Sequence, residues 1–317
     1  MAVMRARRTT LAVPGSNPRM LEKARGLATD ALFLDLEDSV SPLVKEQARA
    51  NVIAALLEGG YGDRVISVRI NAMDTQWSAD DLTHVIEQAG DKLHCILVPK
   101  VQSAQQVRDI DERIATLETA RGLPVGTIGL EAQIEDALGL VNVEQIASAS
   151  DRLESLVFGP ADFMASINMK SLVVGQQPAG YSEGDAYHYP LMRMLVAGRA
   201  FGKQVIDGPY LGIKDLDGLR TAALRSAALG FDGKWVLHPD QIDIVNDIFS
   251  PDQADFDHAE LILDAYEYHT SSSGGARGAV MLGEEMIDEA SRKMALVISS
   301  KGRAAGMTRT TRFVPES

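Results

Sequence analysis

The chain has 317 residues, enough to bury the core of one α/β barrel with an appendage. Its 44 acidic residues against 31 basic ones give a formal charge of -13, which argues against a nucleic-acid or anionic-membrane surface. A single cysteine, Cys95, leaves no internal disulfide, and no run approaches the roughly 20 apolar residues of a spanning helix, so a soluble, cytoplasmic protein is expected.

Short apolar runs alternate with longer stretches of helical periodicity about eight times along the chain. The strand candidates are Thr9 to Val13, Ala31 to Leu36, Val65 to Ile70, Cys95 to Pro99, Thr127 to Ile134, Leu153 to Phe158, Gln204 to Asp207 and Lys234 to Leu237. Helices are expected at about 18–28, 41–57, 78–89, 103–120, 136–148, 187–202, 215–228 and 239–248. Eight such units predict a (β/α)₈ TIM barrel; a doubly wound open sheet is the alternative, disfavoured by the lack of a Gly-x-Gly-x-x-Gly turn after the first strand.

Polar residues gather just after the strands, where ligands bind in parallel α/β folds. The first strand leads into Pro14, Gly15, Ser16, Asn17 and Pro18, a turn opening onto a helix N-terminus that suits a phosphate. Arg19 and Lys23 follow one helical turn apart, although an ordinary turn with two solvated bases fits equally. The second strand ends in Asp35-Leu36-Glu37-Asp38-Ser39; alternation sends Asp35 and Glu37 to one side, and these charges need a cation, Arg69 or metal-bound water. Helix capping by Asp38 or Ser39 competes with that reading. Arg69, among β-branched residues of the third strand, is costly to bury unless paired with carboxylates or an anionic ligand. Lys100 follows Pro99 and could line the barrel mouth, although a solvated lysine is the default. Cys95 reads as a buried thiol, and His238 as a capping or packing residue.

The stretch from Gly129 to Phe163 holds two strand-like runs, closed by Ile134-Glu135 and by Gly159-Pro160-Ala161-Asp162. Two converging carboxylates without Cys or His nearby suit a hard divalent cation such as Mg²⁺; capping of the following helices by Glu135 and Asp162 is the alternative. The segment 171–190, rich in Gly, Gln, Pro, Tyr and Ser, is expected to cover the site. Two domains are expected, a barrel over 1–250 and an extension over 251–317. The extension would hold a helix at about 252–268, a flexible Ser271 to Gly275 linker, a short strand at 279–282, a helix at about 288–299 and a loose tail from Thr308 to Ser317. Such an extension is better placed to reach a neighbouring subunit than its own rim.

In combination these motifs resemble the citrate lyase β-subunit-like family, and within it the malyl-CoA/β-methylmalyl-CoA lyase branch. They are Pro14-Gly15-Ser16, Asp35-Leu36-Glu37-Asp38-Ser39-Val40, Val68-Arg69-Ile70-Asn71, Pro99-Lys100, Ile134-Glu135 with Gly139, Gly159 to Phe163, Asp207-Gly208-Pro209, Gly233-Lys234-Trp235 and His238-Pro239. The resemblance covers about residues 10–295. It implies a barrel with a C-terminal extension, homotrimers or hexamers, and a Mg²⁺ or Mn²⁺ ion. It also implies reversible cleavage of a β-hydroxyacyl-CoA to an acyl-CoA and a 2-oxo acid, glyoxylate or pyruvate.

Carried over by position, the resemblance implies Glu135 and Asp162 as metal ligands, Arg69 as the active-site arginine and the 14–23 turn and helix as the coenzyme A phosphate contact, with Lys23 matching well. Where some members place an arginine after the Pro-Gly-Ser turn this chain has Asn17, with Arg19 nearby. The family's catalytic aspartate, donated by an adjacent subunit, matches Asp288. Glu37, Arg69 and Asp288 are thus the catalytic candidates and Ser16, Arg19 and Lys23 the coenzyme A candidates. Rival readings are a coenzyme-A-independent aldolase of the related HpcH/HpaI type, a malyl-CoA thioesterase or malate synthase-like activity, and a non-catalytic subunit of a larger complex.

Overall fold

A computed structural model describes residues 5–182 and 184–315, and the chain divides into two compact units, residues 1–249 and 250–317. In the first, eight parallel strands close into a barrel in sequence order: β1 (Thr9–Pro14), β2 (Ala31–Asp35), β3 (Val65–Arg69), β4 (Cys95–Val98), β5 (Gly129–Ile134), β6 (Leu153–Phe158), β7 (Gln204–Asp207) and β8 (Gly233–Val236). Every residue of β2 to β8 is buried, which is why these strands read as continuous apolar runs: helices cover one face and the barrel interior the other. The interior stacks Phe33, Leu97, Val157, Ile206 and Trp235, while the larger core lies between strands and helices.

The helices are α1 (Pro18–Ala24), α2 (Lys45–Glu58), α3 (Ser78–Ala89), α4 (Ala104–Arg121), α5 (Ala137–Val141), α6 (Val143–Ala147), α7 (Pro160–Ser166), α8 (His188–Ala200), α9 (Leu216–Leu229) and α10 (Ile242–Phe249). Local signals place their ends. Ser103 and Gln106 form a reciprocal capping box at α4, and Gly122 takes the left-handed turn that closes it (φ 74°). The helix expected at 136–148 is two short helices broken at Asn142, and α7 had no expected counterpart.

At the amino-terminal ends of the strands, the buried Arg7 pairs with Glu131 (2.9 Å) and Glu154 (2.6 Å) and donates to Gln204 Oε1 (2.5 Å). This ionic plug sits beside Cys95, a buried thiol 3.4 Å from Arg7 Nη2.

The segment after α7 is bound along its length. Leu211 donates its N–H to the Val174 carbonyl (3.4 Å), Gln176 Nε2 bonds the Tyr210 hydroxyl (3.2 Å), and Asp185 pairs with Arg225 of α9 (3.0 Å). These contacts anchor it to the β7–α9 connection and to α9. Position 183 within it lies outside the described residues.

The second unit contains α11 (Gln253–Thr270), an antiparallel hairpin of β9 (Val280–Leu282) and β10 (Glu285–Ile287), and α12 (Glu289–Ala304). Its own small core gathers Ala259, Ile262, Ala265, Val280, Ile287 and Ala295, and Glu260 ties α11 to Arg303 (2.8 Å) and Ser299 (2.7 Å) of α12. Residues 271–275 are no free linker: they form a closed turn, with Ala276 N–H on the Ser271 carbonyl (2.9 Å) and Arg277 N–H on that of His269 (2.8 Å). Nor is the tail loose. Thr310 N–H donates to Asp257 (2.8 Å) and Arg309 pairs with Asp264 (2.7 Å); residues 316 and 317 lie outside the described residues.

Candidate active site on the carboxyl rim of the barrel

β2, β3 and the segments after β2, β4, β5 and β6 bring six charged side chains together: Asp35, Glu37, Arg69, Lys100, Glu135 and Asp162. The register sets Asp35 opposite Arg69 on neighbouring strands, and the pair is bidentate, Nε to Oδ1 at 2.7 Å and Nη2 to Oδ2 at 2.8 Å. Both side chains are buried. The guanidinium lies 5.2 Å from the Phe33 ring and 5.1 Å from that of Trp235, so the barrel interior fixes its plane. Although burial pushes the Asp35 carboxyl up, Arg69 holds it below the ordinary aspartate range. Ser39 also bonds Asp35, through both its N–H (3.1 Å) and its hydroxyl (2.5 Å), so neither Ser39 nor Asp38 caps α2.

Arg69 has one looser corner. Its Nη1 reaches Glu37 Oε2 at 3.2 Å and Gln133 Oε1 at 3.4 Å. Glu37, also buried, receives Lys100 Nζ on its other oxygen at 2.8 Å. Burial, and Asp38 beside it, raise the Glu37 carboxyl above its usual value against the pull of Arg69 and Lys100.

Glu135 and Asp162 meet at this same lysine. The Lys100 backbone N–H donates to Glu135 Oε1 (2.7 Å), and its ammonium lies 3.6 Å from Asp162 Oδ2. Glu135 Oε2 accepts from Gln133 Nε2. Gly159 makes the close approach possible: a β-carbon there would stand 2.6 Å from Glu135 Oε2 and 3.0 Å from Gln133 Nε2. Capping does not account for either carboxylate. Asp136, not Glu135, caps α5 by accepting from Gly139 N–H (2.6 Å), and Asp162 sits in the first turn of α7 without capping it.

Two observations test whether these residues fit a divalent ion. Asp162 Oδ2 is shut off from solvent and makes no hydrogen bond. Burial, reinforced by Glu37 and Asp162, pushes the Glu135 carboxyl up to about 8 despite Arg69, so its charged form would gain from a cation beside it. Among the described residues no three His, Cys, Asp or Glu side chains form a closed ligand set. A pair of carboxylates is nevertheless what Mg²⁺ needs from a protein when water and substrate complete an octahedral shell. The residues fit.

The remaining candidates fall in two places. Ser16, Arg19 and Lys23 are exposed on the β1–α1 turn and on α1, and the Gly15 N–H on the Asp35 carbonyl (2.8 Å) ties that turn to β2. Asn17 caps α1, accepting from Met20 N–H (3.3 Å). Asp288 belongs to the second unit, where it caps α12 in a capping box with Ser291. Hydrogen bonds from the Ser291 and Ala290 amides hold its carboxyl below the ordinary range. His238 also caps, accepting from Asp240 N–H (3.2 Å).

Lys100 lines the mouth, the alternative to the solvated default, and its central position was not foreseen: the four acids Glu37, Asp38, Glu135 and Asp162 all touch it. Its backbone is left-handed (φ 53°), a conformation that costs a side-chain-bearing residue about 1 kcal/mol. No residue-type signal announces that; Pro99 before it constrains only the preceding turn.

A closed parallel barrel with charged side chains gathered at the carboxyl ends of its strands has the architecture of the (β/α)₈ enzymes. The family model for HpcH/HpaI aldolase/citrate lyase matches residues 8–239, and the chain belongs to that family. It is 38% identical over 302 residues to an L-malyl-CoA/beta-methylmalyl-CoA lyase of Cereibacter sphaeroides, covering 93% of this chain and 94% of the relative. It is 33% identical to the citrate lyase subunit beta of Escherichia coli, covering 96% and 95%. A crystal structure of CitE from Mycobacterium tuberculosis in complex with magnesium, acetoacetate and coenzyme A superposes with a TM-score of 0.69 at 26% identity, covering 94% of this chain and 98% of that one. The chain is accordingly a carbon–carbon lyase.

Proposed function

We propose that this lyase reversibly cleaves a β-hydroxyacyl-CoA, of the malyl-CoA, β-methylmalyl-CoA or citramalyl-CoA type, into an acyl-CoA and glyoxylate or pyruvate. Glu135 and Asp162 would hold Mg²⁺, or Mn²⁺, for this reaction. The observation that carries the reading is the unbonded Asp162 Oδ2 beside a Glu135 whose charged form would gain from a cation. The names of the relatives and the magnesium and coenzyme A in the neighbouring complex support it.

A bound Mg²⁺ would supply Lewis acidity, lowering the pKa of the β-hydroxyl and polarising the oxo-acid carbonyl. The chain's own groups have the following roles. Arg69 is anchored by Asp35 on one edge, so its fixed Nη1, whose contacts to Glu37 and Gln133 are the longer ones, is the corner that would donate to the thioester oxygen as negative charge develops there. Glu37, with a raised carboxyl next to that corner, is placed to hold or move the hydroxyl proton. Asp288 of a neighbouring copy would protonate the enolate carbon in cleavage and remove that proton in condensation. Ser16, Arg19 and Lys23 would receive the coenzyme A phosphates. This assigns the barrel to metal and coenzyme A and the extension to a neighbouring subunit in a homotrimer or hexamer.

The test is a thioester panel with the purified chain and Mg²⁺, following products by mass. Acetyl- or propionyl-CoA with an oxo acid supports the proposal. Free CoA with malate identifies the thioesterase outcome, cleavage of free hydroxy acids the coenzyme-A-independent aldolase. No turnover by the chain alone identifies a subunit of a larger complex.

A further inference from the structure

Lys100 touches both carboxylates assigned to the metal, but through different groups. The left-handed turn at φ 53° aims its backbone N–H at Glu135 Oε1 (2.7 Å) and folds the side chain back across the barrel mouth. There Nζ contacts Glu37 Oε1 (2.8 Å), Asp38 Oδ1 (3.7 Å) and Asp162 Oδ2 (3.6 Å). Backbone outliers in ordered structure mark positions where the surroundings over-determine an unfavourable conformation, and here the surroundings are the site itself. The contacts are unequal. The one to Glu37 is a hydrogen bond to a buried carboxylate, whereas the one to Asp162 is longer and makes no hydrogen bond, and the oxygen it reaches is shut off from solvent.

We infer that Lys100 is a positioning residue for metal loading: its backbone N–H holds Glu135 in place, while its ammonium is a built-in counter-cation on Asp162 that yields this carboxylate to the divalent ion and stays on Glu37. This rests on the proposed metal reading. The ammonium and the ion compete for one oxygen and repel each other, so the lysine weakens metal binding while it keeps the ligands assembled. That trade distinguishes the role from a merely structural one. A lysine that only braced the rim would leave, on removal, a looser site that binds metal more weakly.

The experiment measures Mn²⁺ affinity by electron paramagnetic resonance on the EDTA-stripped full chain, at fixed pH and ionic strength, for wild type, Lys100→Met, Lys100→Gly and Lys100→Arg. Glycine tolerates the left-handed backbone and so preserves the N–H on Glu135 if methionine disturbs folding. Lys100→Met and Lys100→Gly are expected to bind Mn²⁺ roughly fivefold more tightly than wild type, as loss of a nearby like charge at a partly exposed site requires. Lys100→Arg should restore wild-type affinity. Unchanged or weaker binding in both neutral variants overturns the inference while leaving the metal site standing. Absence of Mn²⁺ binding by wild type would instead overturn the metal reading beneath it.

Discussion

Glu135 is where burial and charge conflict most sharply, and its behaviour follows from position alone. Its carboxyl is raised from 4.5 to about 8, so the folded chain holds a proton that the unfolded chain has lost across that interval. The stabilisation is complete below the unfolded value and drains away as pH rises through about 8. The metal-free chain should therefore lose melting temperature between pH 6 and 8.5, Glu135→Gln should flatten that slope, and Mg²⁺ should restore stability at the alkaline end. Scanning calorimetry checks it; an unchanged slope in Glu135→Gln would reject the assignment. Gly159 gives a second residue-scale prediction. A methyl group there would press on Glu135 and Gln133, so Gly159→Ala should cost ~1–3 kcal/mol in a denaturant melt and weaken Mn²⁺ binding. The acids themselves were visible in the sequence, because carboxylates and an arginine next to apolar strands are costly without partners. Lys100 was visible only as an alternative, since a lysine after a strand is ordinarily solvated and its left-handed backbone leaves no mark in residue type.

At the scale of elements, Asp288 joins two duties that mutation can separate. As the α12 cap it accepts from the Ala290 and Ser291 amides, a task asparagine performs as well and alanine does not. Asp288→Asn should keep the melting temperature and abolish proton exchange at the acetyl-CoA methyl, whereas Asp288→Ala should lose both, with a drop of roughly a few degrees. Exchange surviving in Asp288→Asn would point to another base. At the opposite end of the strands, Arg7→Leu leaves Glu131 and Glu154 without their shared buried partner. Urea unfolding should show a loss of ~3 kcal/mol or more, with Mn²⁺ affinity unaltered. The strands were legible to within a residue or two because burial on both faces writes itself as an apolar run. Five- to seven-residue helices such as α6 and α7, and the three-residue strand β10, carry too few periods to register. The tail and the 271–275 turn read as flexible because Ser, Gly and Thr there bond locally or to α11, contacts that composition does not reveal.

For the whole molecule, the barrel order and the division near residue 250 agree with a catalytic barrel carrying an extension, and no helix among the described residues is long and apolar enough to cross a membrane. At the mouth Arg69 and Lys100 stand among the acids Asp35, Glu37, Asp38, Glu135 and Asp162, and the proposed divalent ion is what would balance them. The direct test is product formation from malyl-CoA by the EDTA-stripped chain, with and without added Mg²⁺, beside Asp162→Ala. Acetyl-CoA and glyoxylate should appear only in the wild type and only with the ion. Equal cleavage without metal, or by Asp162→Ala, would contradict the account.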